Sequence, residues 1–397
     1  MTNNLTSHPH ISFESNWRIS EDTQFIFGQC EAIIRIISNA PLEPEYRSKL
    51  LHVSLRKGAQ ATTAIEGNTL SEEEIIKIDE GGKLPPSKEY LQIEVQNVIS
   101  ALNQIRSEVI LDGKEHLITP ELIKAFHYNI GKDLGDHLRA APGQFRSAGH
   151  DVVVGSYKPP LGKDVLPLVI QLCDWLKETF HYEGGKQNFI EQVIQAIVCH
   201  VYIAWIHPFG DGNGRTARLI EFYLLLRAGL PDIASHILSN HYNNTREEYY
   251  RQLELAGKEK NLSRFIAYAV LGFRDGLNEV LDIVQLNVLK TAWRNYIYEI
   301  LDSKKAAGKT KAIVKRRRNV ALNFPTDSFL TIDYLLNNNA IFVKEYAQYS
   351  SITLKRDLLE LEKLGLIVSD NDKYKANIEI LKASMPLKKI KTTPSAA

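Results

Sequence analysis

The chain has 397 residues, a formal net charge of +1, and 44% hydrophobic and 24% charged residues. This is the balance of a globular protein with a sizeable core, in two or three domains by length. It supplies no global basic field, so any nucleic-acid role would need a local patch. Cys30, Cys173 and Cys199 are few and far apart, which argues against a disulfide framework and fits a reducing compartment.

Met1 to Trp17 has no basic-then-apolar signal pattern, and residues 1–20 read as a loose lead-in within an N-terminal helical segment, 1–50. Helical patterning follows from Glu21, with Ile33, Ile34, Ile36 and Ile37 expected on one apolar face and a break at Pro41 and Pro44. A second helix is expected over Ser54–Ile65, capped by Gly67 and Asn68, and a third over Tyr90–Ile110. Thr119 reads as an N-cap with Pro120 at the first helical position. From Pro142 to Pro160 the texture turns Gly-rich and β-branched, and Asp151–Ser156 reads as a short strand in a hairpin. Helices resume near Asp164, where Leu166, Val169, Leu172, Trp175 and Leu176 form a stripe. They continue over Phe189–Trp205, Leu219–Ala228, Tyr249–Leu255 and Ser263–Ile283, the last extended by Val288–Leu301. The apolar run Ile194–Ile206 carries His200 and falls short of the roughly 20 residues that span a bilayer, so no membrane segment and a cytoplasmic location are expected.

Between two of these helices stands His207-Pro208-Phe209-Gly210-Asp211-Gly212-Asn213-Gly214-Arg215-Thr216-Ala217-Arg218. Pro208 pushes His207 out of the α region, so the preceding helix ends there and presents the imidazole. The glycines resist helix formation, and a new helix is expected from Arg215. A helix N-terminus behind a glycine loop is an anion site that a polyphosphate can approach closely. Arg215 and Arg218, three apart, share a face and offer planar donors to phosphate. Asp211 is a hard oxygen ligand suited to magnesium, and His207 is left as the acid–base group, with an ordinary pKa of about 6.5. Singly, each piece is an ordinary core, turn or surface feature; together they favour phosphate binding over a structural turn.

This segment resembles the signature of the Fic family, His-Pro-Phe-x-Asp/Glu-Gly-Asn-Gly/Lys-Arg-x-x-Arg, at every specified position. The resemblance covers roughly residues 50–275. It implies a mainly α fold: a Fic-type helical core with a β-hairpin flap, binding ATP and magnesium and transferring AMP to a Tyr, Thr or Ser hydroxyl of a protein. By that resemblance His207 is the general base and Asp211 holds magnesium between the α- and β-phosphates. Gly212, Asn213 and Gly214 cradle the anion, Arg215 contacts the phosphates, and Arg218 reaches the γ-phosphate. Thr216 and Ala217 complete the ATP-binding segment, and Tyr249 and Tyr250 fall where the family has aromatic residues near the adenine. The family's Ala-Asn a few residues later reads Ala256-Gly257 here, a departure at one nucleotide contact.

Thr62-Thr63-Ala64-Ile65-Glu66-Gly67 resembles the family's inhibitory motif, Ser/Thr-x-x-x-Glu-Gly/Asn. Thr62 and Glu66, four apart, face one way on a helix of about residues 54–66, and Gly67 follows. A Glu66–Arg218 pair would keep Arg218 from the γ-phosphate and repel that phosphate. Val152, Val153, Val154 and Gly155, in the stretch 143–160 led by Gly143-Gln144-Phe145-Arg146, resemble the family's flap, a strand edge that takes a target segment by β-addition.

The core is expected over 51–302 and a basic linker, free of acidic residues between Lys304 and Arg318, over 303–320. A compact unit follows over 321–382 and a disordered tail over 383–397. In the unit, Ala340–Gln348 and Ile352–Leu364 read as helices, the second capped by Ser350-Ser351, stopped by Gly365 and burying Leu354, Leu358, Leu361 and Leu364. Leu366–Val368 and Tyr374–Lys375 read as strands around Asp370-Asn371-Asp372. The pattern resembles a winged helix-turn-helix. DNA binding, with Thr353 and Lys355 at the groove and Lys373 or Lys375 on phosphates, and protein docking or homodimer formation both stay open; Asp357, Glu360 and Glu362 dilute the basic charge.

The leading expectation is an AMP transferase held back by Glu66, acting on an unidentified hydroxyl-bearing protein or on itself. The alternatives are AMP removal, transfer of another phosphate-containing moiety, and a non-catalytic DNA-binding regulator that senses nucleotide.

Overall fold

The computed structural model describes residues 8–180, 188–303 and 311–383. The chain divides into two compact units, Met1–Val284 and Gln285–Ala397. The first is helical: α1 (Glu21–Ser38), α2 (Pro44–Ala64), α3 (Glu72–Asp79), α4 (Glu89–Arg106), α5 (Pro120–Gly131), α6 (Gly162–Thr179), α7 (Phe189–Ile206), α8 (Asn213–Arg227), α9 (Ile237–Asn244), α10 (Arg246–Glu259) and the start of α11 (Ser263–Asp302).

At its centre α7 packs against α8, and both are buried on nearly every face. A helix apolar all round belongs inside a core, and α7 satisfies this with Val193, Ile197, Val201 and Ile206 on opposite sides, all at 0% exposure. It agrees to within one residue with the expected helix Phe189–Trp205, and its apolar stretch extends beyond the Ile194–Ile206 run. On length and composition it could cross a membrane, and 72% of it is buried inside the protein. α2, α4 and α5 pack on α8, and α6 packs on α7, which brings the end of α2 to the start of α8.

Several elements differ from expectation for local reasons. The break expected at Pro41 and Pro44 lies between α1 and α2, but α2 begins at Pro44 rather than at Ser54, because Pro44 occupies the first helical position, where its missing N–H costs nothing. Residues 8–20 are not loose, for Ile11 is 1% exposed and Phe13 and Trp17 pack on the core. On α1 the buried face is Phe27, Cys30, Ile33 and Ile37, whereas Ile36 is half exposed. On α6 Leu166 points outward, and Val165, Leu168, Val169 and Leu172 carry the stripe. The stretch over 143–160 forms no named strand; its hairpin is a single antiparallel bridge between Val154 and Tyr157, with both backbone hydrogen bonds at 2.9 Å. Thr119 caps α5 with its side chain on the Leu122 N–H, and Pro120 follows at the first position.

The second unit takes in the end of α11 and then α12 (Lys311–Leu322), β1 (Leu330–Thr331), α13 (Ile332–Asn338), α14 (Ala340–Tyr346), α15 (Ser351–Lys363), β2 (Ile367–Asp370), β3 (Lys373–Ala376) and α16 (Glu379–Ala383). Its antiparallel sheet has the order β1-β3-β2, with Ile367 opposite Ala376 and Leu330 opposite Tyr374. Asn371 and Asp372 take positive φ in the turn between β2 and β3, as a tight hairpin requires. Of the stripe on α15, Leu354, Leu358 and Leu361 are buried and Leu364 is half-buried.

The unit boundary lies ahead of the stretch 303–320, and part of that stretch is α12 rather than a linker. Arg316 and Arg317 point inward, and their Nε atoms donate to Asp357 Oδ2 and Oδ1 at 2.7 and 2.6 Å. Residues 304–310, within the basic stretch, and 384–397, the expected tail, lie outside the described residues.

Candidate active site

α7 ends as Pro208 demands. His207 leaves the helix in the left-handed region (φ 51°, ψ 59°) while its N–H still reaches the Ile203 carbonyl at 2.9 Å. Its Nδ1 lies 3.4 Å from the Ala204 carbonyl, an acceptor, so Nδ1 carries the proton and Nε2 keeps its lone pair. Burial lowers the imidazole pKa from 6.5 to about 4, with the nearby Arg146 cation acting the same way. His207 is therefore neutral at neutral pH, with the Nε2 lone pair able to accept a proton.

The loop to α8 is closed by Asn213. Its Oδ1 accepts from the Phe209 N–H at 2.8 Å and its Nδ2 donates to the Phe209 carbonyl at 2.9 Å. The Asn213 side chain thus holds the loop, leaving its backbone for any anion. α8 begins at Asn213, earlier than expected at Arg215, because Gly212 takes the N-cap with φ +76°. Asp211 Oδ1 accepts from the Gly212 N–H at 2.5 Å and from Arg215 Nη2 at 3.0 Å, and Oδ2 accepts from the Arg139 N–H at 3.3 Å.

Two residues given no role at this loop by the sequence hold the arrangement. His127, on α5, stacks flat on Phe209 at 3.7 Å, accepts from the Gly143 N–H at Nδ1 and donates from Nε2 to the Asp211 carbonyl, both at 2.9 Å. Arg146 was legible only as part of the flap's lead-in. Its Nε donates to the His207 carbonyl at 2.8 Å, Nη2 to Ile206 and Pro160, and Nη1 to His150. A guanidinium at the C-terminus of α7 meets both its free carbonyls and its dipole.

The two arginines of the motif part company. Arg215 is 5% exposed and pairs with Glu94 Oε1 and Asp211 Oδ1, so it faces carboxylates rather than an open phosphate site. Arg218 is 1% exposed; Nη2 donates to the Thr62 carbonyl at 2.9 Å and to Glu66 Oε1 at 2.6 Å, while Nε and Nη1 have no partner. Burial alone pushes the Glu66 carboxyl up, but Arg218, with Arg215 beyond it, outweighs this and holds it below the usual carboxylate range. Thr62 contributes its backbone carbonyl. Glu66 and Gly67 lie past the last turn of α2, and Gly67 turns the chain with φ +103°. At Gly214 a Cβ would stand 2.2 Å from Glu66 Oε1: the missing side chain is what lets the carboxylate lie over the start of α8. Thr216 bonds the Gly212 carbonyl through its hydroxyl, and Ala217 is buried.

The expected aromatic pair divides. Tyr249 is 3% exposed, its hydroxyl bonded to His200 Nε2 at 3.0 Å and its ring stacked on Tyr242, so it belongs to the core and offers no face to a base. Tyr250 is 45% exposed with the Arg246 guanidinium 6.0 Å from its ring centre. In the flap Val153 and Val154 are exposed and Val152 half-buried, and Gly155 turns the chain. The Tyr157 hydroxyl ties the flap's base to the Trp205 carbonyl at 2.8 Å.

Among the described residues no three His, Cys, Asp or Glu side chains are placed to hold a metal ion. Magnesium commonly takes one or two carboxylates and completes its shell with substrate phosphates and water. Asp211, alone, partly exposed and beside a helix N-terminus, fits that donor set.

The Fic/DOC family model matches residues 117–225. The chain is 30% identical over 210 residues to Protein adenylyltransferase fic-1 of Caenorhabditis elegans, covering 52% of this chain and 38% of that protein. It is 31% identical over 209 residues to Protein adenylyltransferase Fic of Nematostella vectensis, covering 52% and 44%. The chain thus spans about two fifths of the length of these relatives. Among solved structures, a Fic family protein from Desulfovibrio desulfuricans G20 superimposes with a TM-score of 0.55 at 19% identity, over 91% of this chain and 98% of that one. Fic-1 (residues 134–508) from C. elegans does so with 0.54 at 22%, over 67% and 73%. The fold is of the Fic type.

Proposed function

We propose that the chain transfers AMP from ATP to a hydroxyl of a protein and is held inactive by its own Glu66. The observation that carries this reading is the pairing of Glu66 with Arg218 beside a neutral His207, at a helix start that can receive phosphates. His207 Nε2 takes the proton of the incoming hydroxyl. The hydroxyl oxygen forms its bond to the α-phosphorus as the bond to the bridging oxygen breaks, and pyrophosphate leaves. The backbone N–H groups at the start of α8 and the Arg218 guanidinium balance the charge that gathers on the phosphates. Magnesium, bound through Asp211, would supply further charge neutralisation. Glu66 occupies the ground over Gly214 where a γ-phosphate would sit and takes the guanidinium that would bind it.

Labelled ATP with magnesium tests the reading. Glu66→Gly should transfer label to itself or to co-incubated protein far more than the parent, and Glu66→Gly with His207→Ala should not. No transfer from Glu66→Gly sinks it.

For the second unit we propose a winged-helix module that docks protein. Ile352 and Leu359 on α15 are 74% and 57% exposed where a DNA-reading helix would carry polar groups. Arg316 and Arg317, spent on Asp357, add nothing to a phosphate-binding surface. Salt-dependent DNA binding by the full chain, lost on Lys355→Ala, would reverse this assignment.

A further inference from the structure

Asn68 follows Glu66 in the turn that closes α2, yet its side chain reaches away from that helix to α4. Its Nδ2 donates to the Leu91 carbonyl at 3.1 Å and to Glu94 Oε2 at 2.7 Å, and its Oδ1 accepts from the Leu70 N–H at 3.1 Å. The other oxygen of Glu94 pairs with Arg215 Nη1, and Arg215 Nη2 pairs with Asp211 Oδ1 at 3.0 Å. Asn68 and Glu94 are each 9% exposed and Arg215 5%. A continuous run of buried side chains therefore joins the turn that carries Glu66 to the carboxylate of the catalytic loop.

The charges along this run matter. A buried guanidinium facing Asp211 alone would neutralise it and compete with a divalent cation for the same oxygen. Glu94 shares that guanidinium, so Asp211, Arg215 and Glu94 together keep a net negative charge while Glu94 is ionised. Burial pushes the Glu94 carboxyl pKa up, and Arg215 and the Asn68 hydrogen bond work against that rise. Nothing in the proposed transfer reaction requires Glu94 or Asn68 to touch ATP or target.

We propose that Glu94 is a positioning residue for the metal-binding carboxylate Asp211, acting through Arg215, and that Asn68 ties its position to the inhibitory turn. This rests on the functional reading above for the assignment of Asp211 to magnesium. The turn after α2 then grips both arginines of the motif, Arg218 directly through Glu66 and Arg215 through Asn68 and Glu94. Moving the end of α2 changes the phosphate side and the metal side of the site together, whereas replacing Glu66 alone releases only Arg218.

Manganese titration of the full chain, followed by electron paramagnetic resonance with an ATP analogue uncleavable between the α- and β-phosphates, reads the metal side without turnover. In the Glu66→Gly background, Glu94→Gln keeps the shape and loses the charge. It should weaken manganese binding about tenfold, the size expected for the partner of a metal ligand. The half-activating magnesium concentration for label transfer should rise with it, by more than kcat falls. Asn68→Ala keeps the Glu94 charge and cuts the tie; in the chain that retains Glu66 it should raise basal label transfer several-fold. A folded Glu94→Gln protein that binds manganese as its background does overturns the proposal, as does an Asn68→Ala protein with unchanged basal transfer. A Glu66→Gly background that transfers no label fails the functional reading instead, and one that binds no manganese removes the metal assignment and this proposal with it.

Discussion

Glu66 and Arg218 stand 2.6 Å apart across 152 residues of chain, and the pair is lopsided: the arginine side chain is 1% exposed, the glutamate side chain 28%. The guanidinium is fixed in the core at the start of α8, while the carboxylate sits at the solvent edge on a turn. An anion arriving from solvent meets the removable partner first. The proposed inhibition therefore does not need to move the loop from His207 to Asn213; displacing one turn is enough.

That asymmetry predicts how stability responds to the loss of Glu66. Glu66→Gly leaves a buried cation without its partner, and breaking a fully buried pair costs about 3–5 kcal/mol. Partial exposure of Glu66 reduces this to an expected loss of about 1–3 kcal/mol in denaturant unfolding. Magnesium-ATP should raise the melting temperature of Glu66→Gly more than that of the parent, because the phosphates replace the lost carboxylate. Equal shifts in both proteins would mean that Glu66 and the nucleotide do not compete.

The close approach at Gly214 gives a sharper test of the same contact. Alanine there would put Cβ 2.2 Å from Glu66 Oε1 and 3.1 Å from Arg218 Nη1. Gly214→Ala should destabilise the parent, yet do so much less in Glu66→Gly, where the obstructing oxygen is gone. A double-mutant cycle by urea unfolding should return a coupling of about 1–2 kcal/mol, within the range for residues in contact. Additive effects would place Glu66 away from α8.

These contacts show what a sequence can reveal here. His207, Asp211 and the two arginines are legible because their spacing is local and Pro208 and the glycines dictate the backbone around them. Glu66 is legible as a motif, and the turn through Gly67 follows from its φ. The partners that finish the site are remote and ordinary in type: His127 on α5, Glu94 on α4 and Arg146 in the flap's lead-in reach the loop only through the packing of helices. Tyr249 and Tyr250 are neighbours of the same type, and only the rotation of α10 decides which is core. The Ser71–Glu74 capping box of α3 is a local signal that does stand in the sequence. Arg316 and Arg317 look like surface charge until Asp357, on a helix packed against theirs, turns them inward.

Arg146 should be the least replaceable of those remote partners. Its guanidinium serves the carbonyls of His150, Pro160, Ile206 and His207, and its own N–H donates to the Pro208 carbonyl at 2.8 Å. Arg146→Ala leaves buried carbonyls at the end of α7 unpaired and should cost about 2–4 kcal/mol. Lysine cannot span the same acceptors, so Arg146→Lys should recover only part of the stability. In the Glu66→Gly background, label transfer by Arg146→Lys should fall in kcat rather than in the KM for ATP, since the group displaced is His207. A change confined to the KM for ATP would assign Arg146 to nucleotide binding.

The pH dependence follows from the buried imidazoles. His10, His127, His207 and His236 each have their pKa lowered from 6.5 to about 4, in each case chiefly by burial. Between those values the unfolded chain binds protons that the folded chain refuses, so stability rises with pH across this window. The sign is unambiguous: stability is full above pH 6.5, is lost progressively as pH falls toward about 4, and gains no further histidine penalty below that. Thermal unfolding should therefore be flat above pH 7 and decline steadily from pH 6.5 to 4.5. Activity should not follow an ordinary histidine titration. In Glu66→Gly, where the neighbouring carboxylate that favours protonated His207 is gone, kcat/KM for ATP should hold between pH 8 and pH 5.5 while the protein stays folded. An acid limb centred near pH 6.5 in that protein would show that the free imidazole titrates as if exposed, and would contradict the buried, neutral His207 on which the proposed role as base rests.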